Sequence, residues 1–344
     1  MAETKPLLRV RNLRTTFHSH KQLVKAVRGF NIEVAPGEIV AVVGESGSGK
    51  SVAMKSIMGL LPPNADIEAD VLEYDGRDLL AMKPAARRAM CGGEIAMIFQ
   101  DPMTALDPLH TVGYHLYEVL RRHRGLKGAA AREEALRVLG QVGIPSPEQR
   151  LSQYPHEFSG GMRQRVLIAM ALCCQPRLII ADEPTTALDV TIQAQILDLL
   201  KRLSEETGMS VVLITHDLGV VAGLCSRVSV MYGGRVMERG DVDAIFYRPR
   251  HPYTRALLGA VPDPRRVGHE RLTSIPGAAP SLVNPPDGCP FAGRCNYSCD
   301  RCALPDIPQH TYPGGQTSRC VWTSEELDAQ GAGHLSEVER EGRA

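Results

Sequence analysis

The sequence predicts an α/β protein built on a mainly parallel sheet, with an antiparallel β subdomain before it, a helical insertion within it and an irregular cysteine-rich extension after it. Three observations carry this reading. A glycine-rich loop, GESGSGKS (Gly44–Ser51), lies between an apolar run (Ile39, Val40, Ala41, Val42, Val43) and a helix-like stretch from about Lys50 to Leu61. Strand-like and helix-like runs alternate from Leu178 to His216, which implies right-handed crossovers between parallel strands. Between these two regions, residues 110 to 145 lose strand formers and repeat apolar side chains at helical spacing.

Taken in order, residues 7 to 17 (Leu8, Val10, Leu13, Phe17) and 25 to 34 (Val27, Phe30, Ile32, Val34) read as strands joined by a polar turn, an antiparallel edge ahead of the loop. Ile95 to Phe99 is a short strand with Gln100 directly after it. Val112, Leu116, Val119 and Leu120, then Ala135, Leu136, Val138 and Leu139, mark the helical insertion, which spans about 101–175. Phe158 to Arg165 (FSGGMRQR) is a glycine-containing turn opening an apolar helix. The strand Leu178–Ala181 ends in Asp182 and Glu183, a helix runs from about Val190 to Glu206, and the strand Val211–Thr215 ends in His216. Beyond Gly240 the pattern weakens, and residues 262 to 290 are rich in Pro and Gly, a sign of irregular packing. The expected organisation is one domain over 1–250, an extension over 251–322 and a disordered acidic tail over 323–344.

The loop has the chemistry of a phosphate cradle. Gly44, Gly47 and Gly49 let the backbone turn N–H groups inward, and the following helix aims the positive end of its dipole at the same place. Lys50 supplies a point charge for phosphate and Ser51 a hydroxyl for Mg²⁺, the pattern G-x-x-x-x-G-K-[ST]. Glu45, Ser46, Ser48 and Val52 complete the set expected around the nucleotide. Asp182, ending a buried strand beside the loop, is placed to hold Mg²⁺, and Glu183 to orient or deprotonate an attacking water. His216 can reach the γ-phosphate side, and Gln100 both metal and water. Phe17 reads either as a core aromatic or as a ring for stacking a flat base.

This set resembles the ATP-binding subunits of ABC transporters, a family of P-loop nucleoside triphosphatases. GESGSGKS is similar to the Walker A loop, Gln100 to the Q-loop, FSGGM to the signature motif, LIIADE (Leu178–Glu183) to the Walker B strand, ALD (Ala187–Asp189) to the D-loop and His216 to the switch histidine. The resemblance covers residues 7 to about 240 and departs at Met162, where the signature usually carries Gln. It implies ATP hydrolysis in a head-to-tail pair, with Ser159, Gly160, Gly161 and Met162 on nucleotide held by the partner, Asp189 at the dimer contact and Phe17 stacked on adenine.

The last third narrows the family. HPYT (His251–Thr254), Ile275–Gly277 and GCPFAGRC (Gly288–Cys295) resemble the extension of ATPase subunits from oligopeptide, dipeptide and nickel importers. In that subfamily a four-cysteine pattern can bind a [4Fe-4S] cluster, which here implies Cys289, Cys295, Cys302 and Cys320 as ligands. Zinc is the rival occupant, free unliganded thiols are a third reading, and Cys299 is an extra thiol able to replace Cys302. Cys91, Cys173, Cys174 and Cys225 lie in apolar stretches and read as packing residues.

The resemblance implies partners: a second, distinct ABC ATPase subunit, two transmembrane permeases docking near Gln100 and residues 110–145, and an extracytoplasmic substrate-binding protein. Composition agrees with a peripheral location on the cytoplasmic face of the inner membrane, since the first residues are charged throughout and no stretch has the length of an apolar span. The 344 residues carry 39 basic and 39 acidic side chains, so nothing argues for nucleic acid as a partner. Two other readings stand beside the importer: a soluble ABC ATPase, and an ATPase whose cysteines sense redox state or metal.

Overall fold

A computed structural model describes residues 5–19, 22–186, 188–261 and 275–330. The chain forms two sheets. The first is antiparallel and comes from the N-terminal part: β1 (Leu8–Ser19) pairs with β2 (Gln22–Val34) from Leu8↔Val34 to Ser19↔Gln22. The second is organised around β3 (Ile39–Val43), which runs parallel to two later strands, as its continuous apolar sequence demands of a strand buried on both faces.

After β3 the loop feeds α1 (Lys50–Met58), and the chain returns to the first sheet as β4 (Ala65–Glu68), β5 (Val71–Tyr74) and β6 (Arg77–Asp78). The order there is β2-β1-β5-β6, with β4 also against β1. α2 (Pro84–Met90) leads to β7 (Ile95–Ile98), and then the helical insertion begins with α3 (Pro102–Ala105), α4 (Val112–Arg124), α5 (Gly128–Gln141), α6 (Pro147–Arg150) and α7 (Gly160–Leu172). β8 (Leu178–Asp182), α8 (Val190–Thr207) and β9 (Ser210–Thr215) restore the strand and helix alternation. β10 (Arg227–Tyr232) and β11 (Arg235–Asp241) follow, then α9 (Val242–Tyr247), α10 (Pro252–Gly259), β12 (Gln309–Thr311) and β13 (Thr317–Arg319). The second sheet runs β12-β13-β11-β10-β3-β9-β8-β7.

Strand alternation divides the core in two. Ala41, Val43, Ile179, Ala181, Val211 and Leu213 face a cluster built with α4, α5, α7 and α8. Val40, Val42, Leu178, Ile180, Val212 and Ile214 face the antiparallel sheet and α1. The functional loop and strand ends sit where these two halves meet.

The β10–β11 connection was not anticipated from the sequence. Its two turn residues, Gly233 and Gly234, have φ of 55° and 80°, the left-handed pair that a tight two-residue hairpin needs, and Gly-Gly between apolar runs was the available signal. The sheet also continues past residue 250, because β13 pairs with β11 and β12 with β13. Residues 324–330 are helical with Leu327 fully buried; the remainder of the expected tail lies outside the described residues.

α10 starts on His251, whose Nδ1 accepts the Tyr253 N–H at 3.0 Å, so this histidine caps the helix in its neutral form. Burial pushes its pKa from 6.5 down to about 3. The unfolded chain therefore binds more protons between those values, and the stability present above pH 6.5 is lost as pH falls through that window. Lowering the pH from 7 to 5 is expected to cost about 2 kcal/mol through this group. Glu238, which accepts the His251 N–H and is raised by burial, works in the opposite sense. Urea denaturation of wild type and His251→Asn at both pH values isolates the histidine: Asn keeps a capping oxygen, and the pH-dependent loss should shrink by most of that amount.

Candidate active site

The loop after β3 is shaped by close backbone approaches. A Cβ on Gly44 would lie 2.1 Å from the Met231 carbonyl oxygen at the end of β10. A Cβ on Gly49, whose φ is 99°, would lie 2.4 Å from the Ala26 carbonyl oxygen of β2. Ser46 and Gly47 stand exposed at the loop tip, whereas Ser48 and Lys50 are buried and Val52 packs into the core under α1. Lys50 Nζ donates to the carbonyls of Gly44 (2.7 Å) and Glu45 (3.0 Å), which spans the loop with one ammonium. Burial lowers its pKa, and Glu183, Asp182 and Glu45 pull it back.

β8 delivers the carboxylates. Asp182 is 2% exposed and accepts the Ser51 hydroxyl at 2.6 Å. Burial raises its pKa against that bond. Glu183 follows in the left-handed region at φ 47°, an unfavourable backbone for a residue with a Cβ, fixed by its N–H donating to the Ile214 carbonyl at 3.0 Å. Its Oε2 accepts from Gln100 Nε2 at 3.0 Å and from Thr186 Oγ1 at 2.9 Å, with His216 Nδ1 at 3.3 Å. Its Oε1 lies 3.8 Å from Lys50 Nζ. The ends of β7, β8 and β9 thus bring Gln100, Asp182, Glu183 and His216 onto the loop. Thr186 was missed, although a hydroxyl three residues after an acid in a turn is a recognisable partner.

Other candidates lie apart from this group. Phe17 is half-buried on β1, opposite Val24 and Ala65. Ser159 caps α7, its Oγ accepting the Met162 N–H at 3.4 Å, with Gly160 exposed. Gly161 is packed against α8, where a Cβ would meet Ile192 Cγ2 at 2.5 Å. Asp189 caps α8 through the Ile192 N–H at 2.9 Å, and Ala187 lies outside the described residues. Among the described residues, no hydrogen bond or ion pair joins Ser159, Gly160, Gly161, Met162 or Asp189 to Lys50 or Glu183.

The cysteines correct the expectation of an iron–sulfur or zinc site. Among the described residues, no group of three or more His, Cys, Asp or Glu side chains is arranged to hold a metal ion. Cys289 and Cys295 instead pack against the apolar core, and burial pushes their thiols up to about 12 and 11. Cys302 and Cys320 are buried and raised for the same reason. Cys299 Sγ meets Cys302 Sγ at 4.0 Å, a contact between thiols. With no metal bound, desolvation keeps these sulfurs protonated.

A phosphate loop after β3, a carboxylate pair at the end of β8 two strands away and a sheet with helices on both sides define a phosphate-loop ATPase. Comparison with known proteins agrees. The ABC transporter model matches residues 27–186, and the model of the oligopeptide/dipeptide transporter C-terminal region matches residues 237–302. The chain is 53% identical over 317 residues to the dipeptide transport ATP-binding protein DppD of Bacillus subtilis (strain 168), covering 91% of each. It is 48% identical to DppD of Escherichia coli (strain K12), covering 91% of this chain and 96% of that one, and 52% identical to the oligopeptide transport ATP-binding protein OppD of B. subtilis, covering 85% and 82%. The dimeric ATP-binding cassette MJ0796 bound to ADP and Pi superposes with a TM-score of 0.61 at 30% identity, covering 68% of this chain and 98% of that one. The chain belongs to the ABC transporter ATP-binding subunits of the dipeptide and oligopeptide importer family. No helix among the described residues is long and apolar enough to cross a membrane.

Proposed function

We propose that this chain is the ATPase subunit that powers import of dipeptides or oligopeptides, seated peripherally on the cytoplasmic face of the inner membrane. The observation that carries it is the convergence of Lys50, Ser51, Gln100, Asp182, Glu183 and His216 at one sheet edge. Lys50 and the loop amides from Ser46 to Val52 take the phosphates of ATP. The hydroxyl of Ser51, the carboxylate of Asp182 and the amide oxygen of Gln100 are hard oxygen donors that suit Mg²⁺. Bound there, the ion would neutralise phosphate charge. Glu183 orients the attacking water and accepts its proton, and His216 bonds on the γ-phosphate side.

Ser159 and Gly160 stand exposed at the start of α7, where Ser159, Gly160, Gly161 and Met162 would cap nucleotide on a second ABC ATPase subunit, with Asp189 at the dimer contact. Two permeases and an extracytoplasmic binding protein complete the complex. The exposed apolar side chains Phe99, Met103, Leu109 and Tyr114, on the stretch of chain around and after Gln100, suit docking of permease helices. In the assembled complex, ATP hydrolysis should rise when binding protein loaded with a dipeptide is added; no response to di- or oligopeptides would overturn the substrate class. Phe17→Ala should raise KM for ATP about three- to tenfold with kcat little changed, because stacking on adenine is lost. An unchanged KM would remove Phe17 from that role.

A further inference from the structure

The phosphate loop is held from outside the ATPase core. Glu45, its second residue, is gripped twice by the segment after β11: Arg294 Nη1 donates to its Oε2 at 2.7 Å, and its own N–H donates to the Tyr253 hydroxyl at 3.0 Å. Arg294 is itself fixed, because Nη1 also donates to the Tyr232 hydroxyl (2.8 Å), Nε to the Pro276 carbonyl (2.7 Å) and Nη2 to the Ile275 carbonyl (3.1 Å). Tyr253 is fully buried, with ring centroids 4.5 Å from Tyr232 and 5.2 Å from Phe291. An aromatic cluster shared by β10, α10 and the cysteine-bearing segment thus delivers one guanidinium and one hydroxyl to the loop.

Two physical effects follow. Ser46 and Gly47 stand exposed at the loop tip, where a Cβ on Gly47 would touch nothing within 4 Å, and fixing Glu45 pre-organises the loop that nucleotide engages. The Glu45 carboxylate also stands beside a site for a triphosphate, and Arg294 neutralises it. The carbonyl of the same residue receives Lys50, so the grip is one bond from the phosphate-binding ammonium.

We propose that Arg294 and Tyr253 are positioning residues of the phosphate site, through which docking of the C-terminal extension sets nucleotide affinity. This rests on the nucleotide reading above. The test uses the full chain, with equilibrium MgATP binding and steady-state hydrolysis. Arg294→Met should weaken binding and raise KM about tenfold while kcat stays within about twofold. Adding Glu45→Gln to Arg294→Met should recover most of that affinity, because the unpaired carboxylate is gone. A loss of packing alone would not be rescued this way. Tyr253→Phe, which keeps the ring, should bind about threefold more weakly and carries the test alone should Arg294→Met not fold. Wild-type affinity in the folded variants, or no recovery in the double variant, overturns the proposal. A wild-type chain that does not bind MgATP overturns the nucleotide reading instead.

Discussion

Glu183→Gln is expected to bind MgATP as wild type does and to turn over at least ~10²-fold more slowly. Gln is isosteric and keeps an oxygen for the donors from Gln100 and Thr186, so the arrangement around the loop survives. It cannot take a proton from water. Lys50, Ser51 and Asp182 are untouched, which leaves phosphate binding in place. Single-turnover hydrolysis measured beside equilibrium binding separates the two effects. Hydrolysis at the wild-type rate would take Glu183 out of the reaction.

Gly49→Ala is expected to cost at least about 30-fold in MgATP affinity, or about 2 kcal/mol. Two penalties act together at this position. A residue with a Cβ does not adopt φ 99° readily, and that Cβ would press 2.4 Å from the carbonyl oxygen of Ala26, which lies at a bulge of β2 between Lys25 and Val27, both paired to β1, so it shifts only at the expense of those pairs. Relief must come from the loop, and Lys50 and Ser51 are the next two residues. Titration with MgATP, together with a melting curve to show that the variant is folded, checks this. A folded variant with unchanged affinity would show that nucleotide does not use this loop.

The parts of the fold that could be read from local sequence are those in which one segment carries its own physics. β3, β8 and β9 are buried strands, so residues 39–43, 178–181 and 211–214 show as unbroken apolar runs. The polar residues just after β7, β8 and β9 could be picked out as Gln100, Glu183 and His216 for the same reason. What remained hidden depends on distant partners. β10 is the second parallel neighbour of β3, an adjacency that no local pattern encodes. Glu45 and Arg294 are 249 positions apart, and neither betrays the other. The cysteines misled because spacing records order along the chain, whereas the environment of Cys289 and Cys295 is set by the apolar side chains that the fold brings against them.

The short pair β12–β13 lies along the outer side of β11, meeting it through Glu238↔Ser318 and Arg239↔Thr317. A seven-residue strand left bare there would offer unpaired amides and carbonyls to any passing chain, an invitation to strand addition and aggregation. By ending this side of the sheet in a three-residue strand, Gln309–Thr311, the protein presents a rim too brief to template another molecule, so the β12–β13 pair also acts as a guard against self-association.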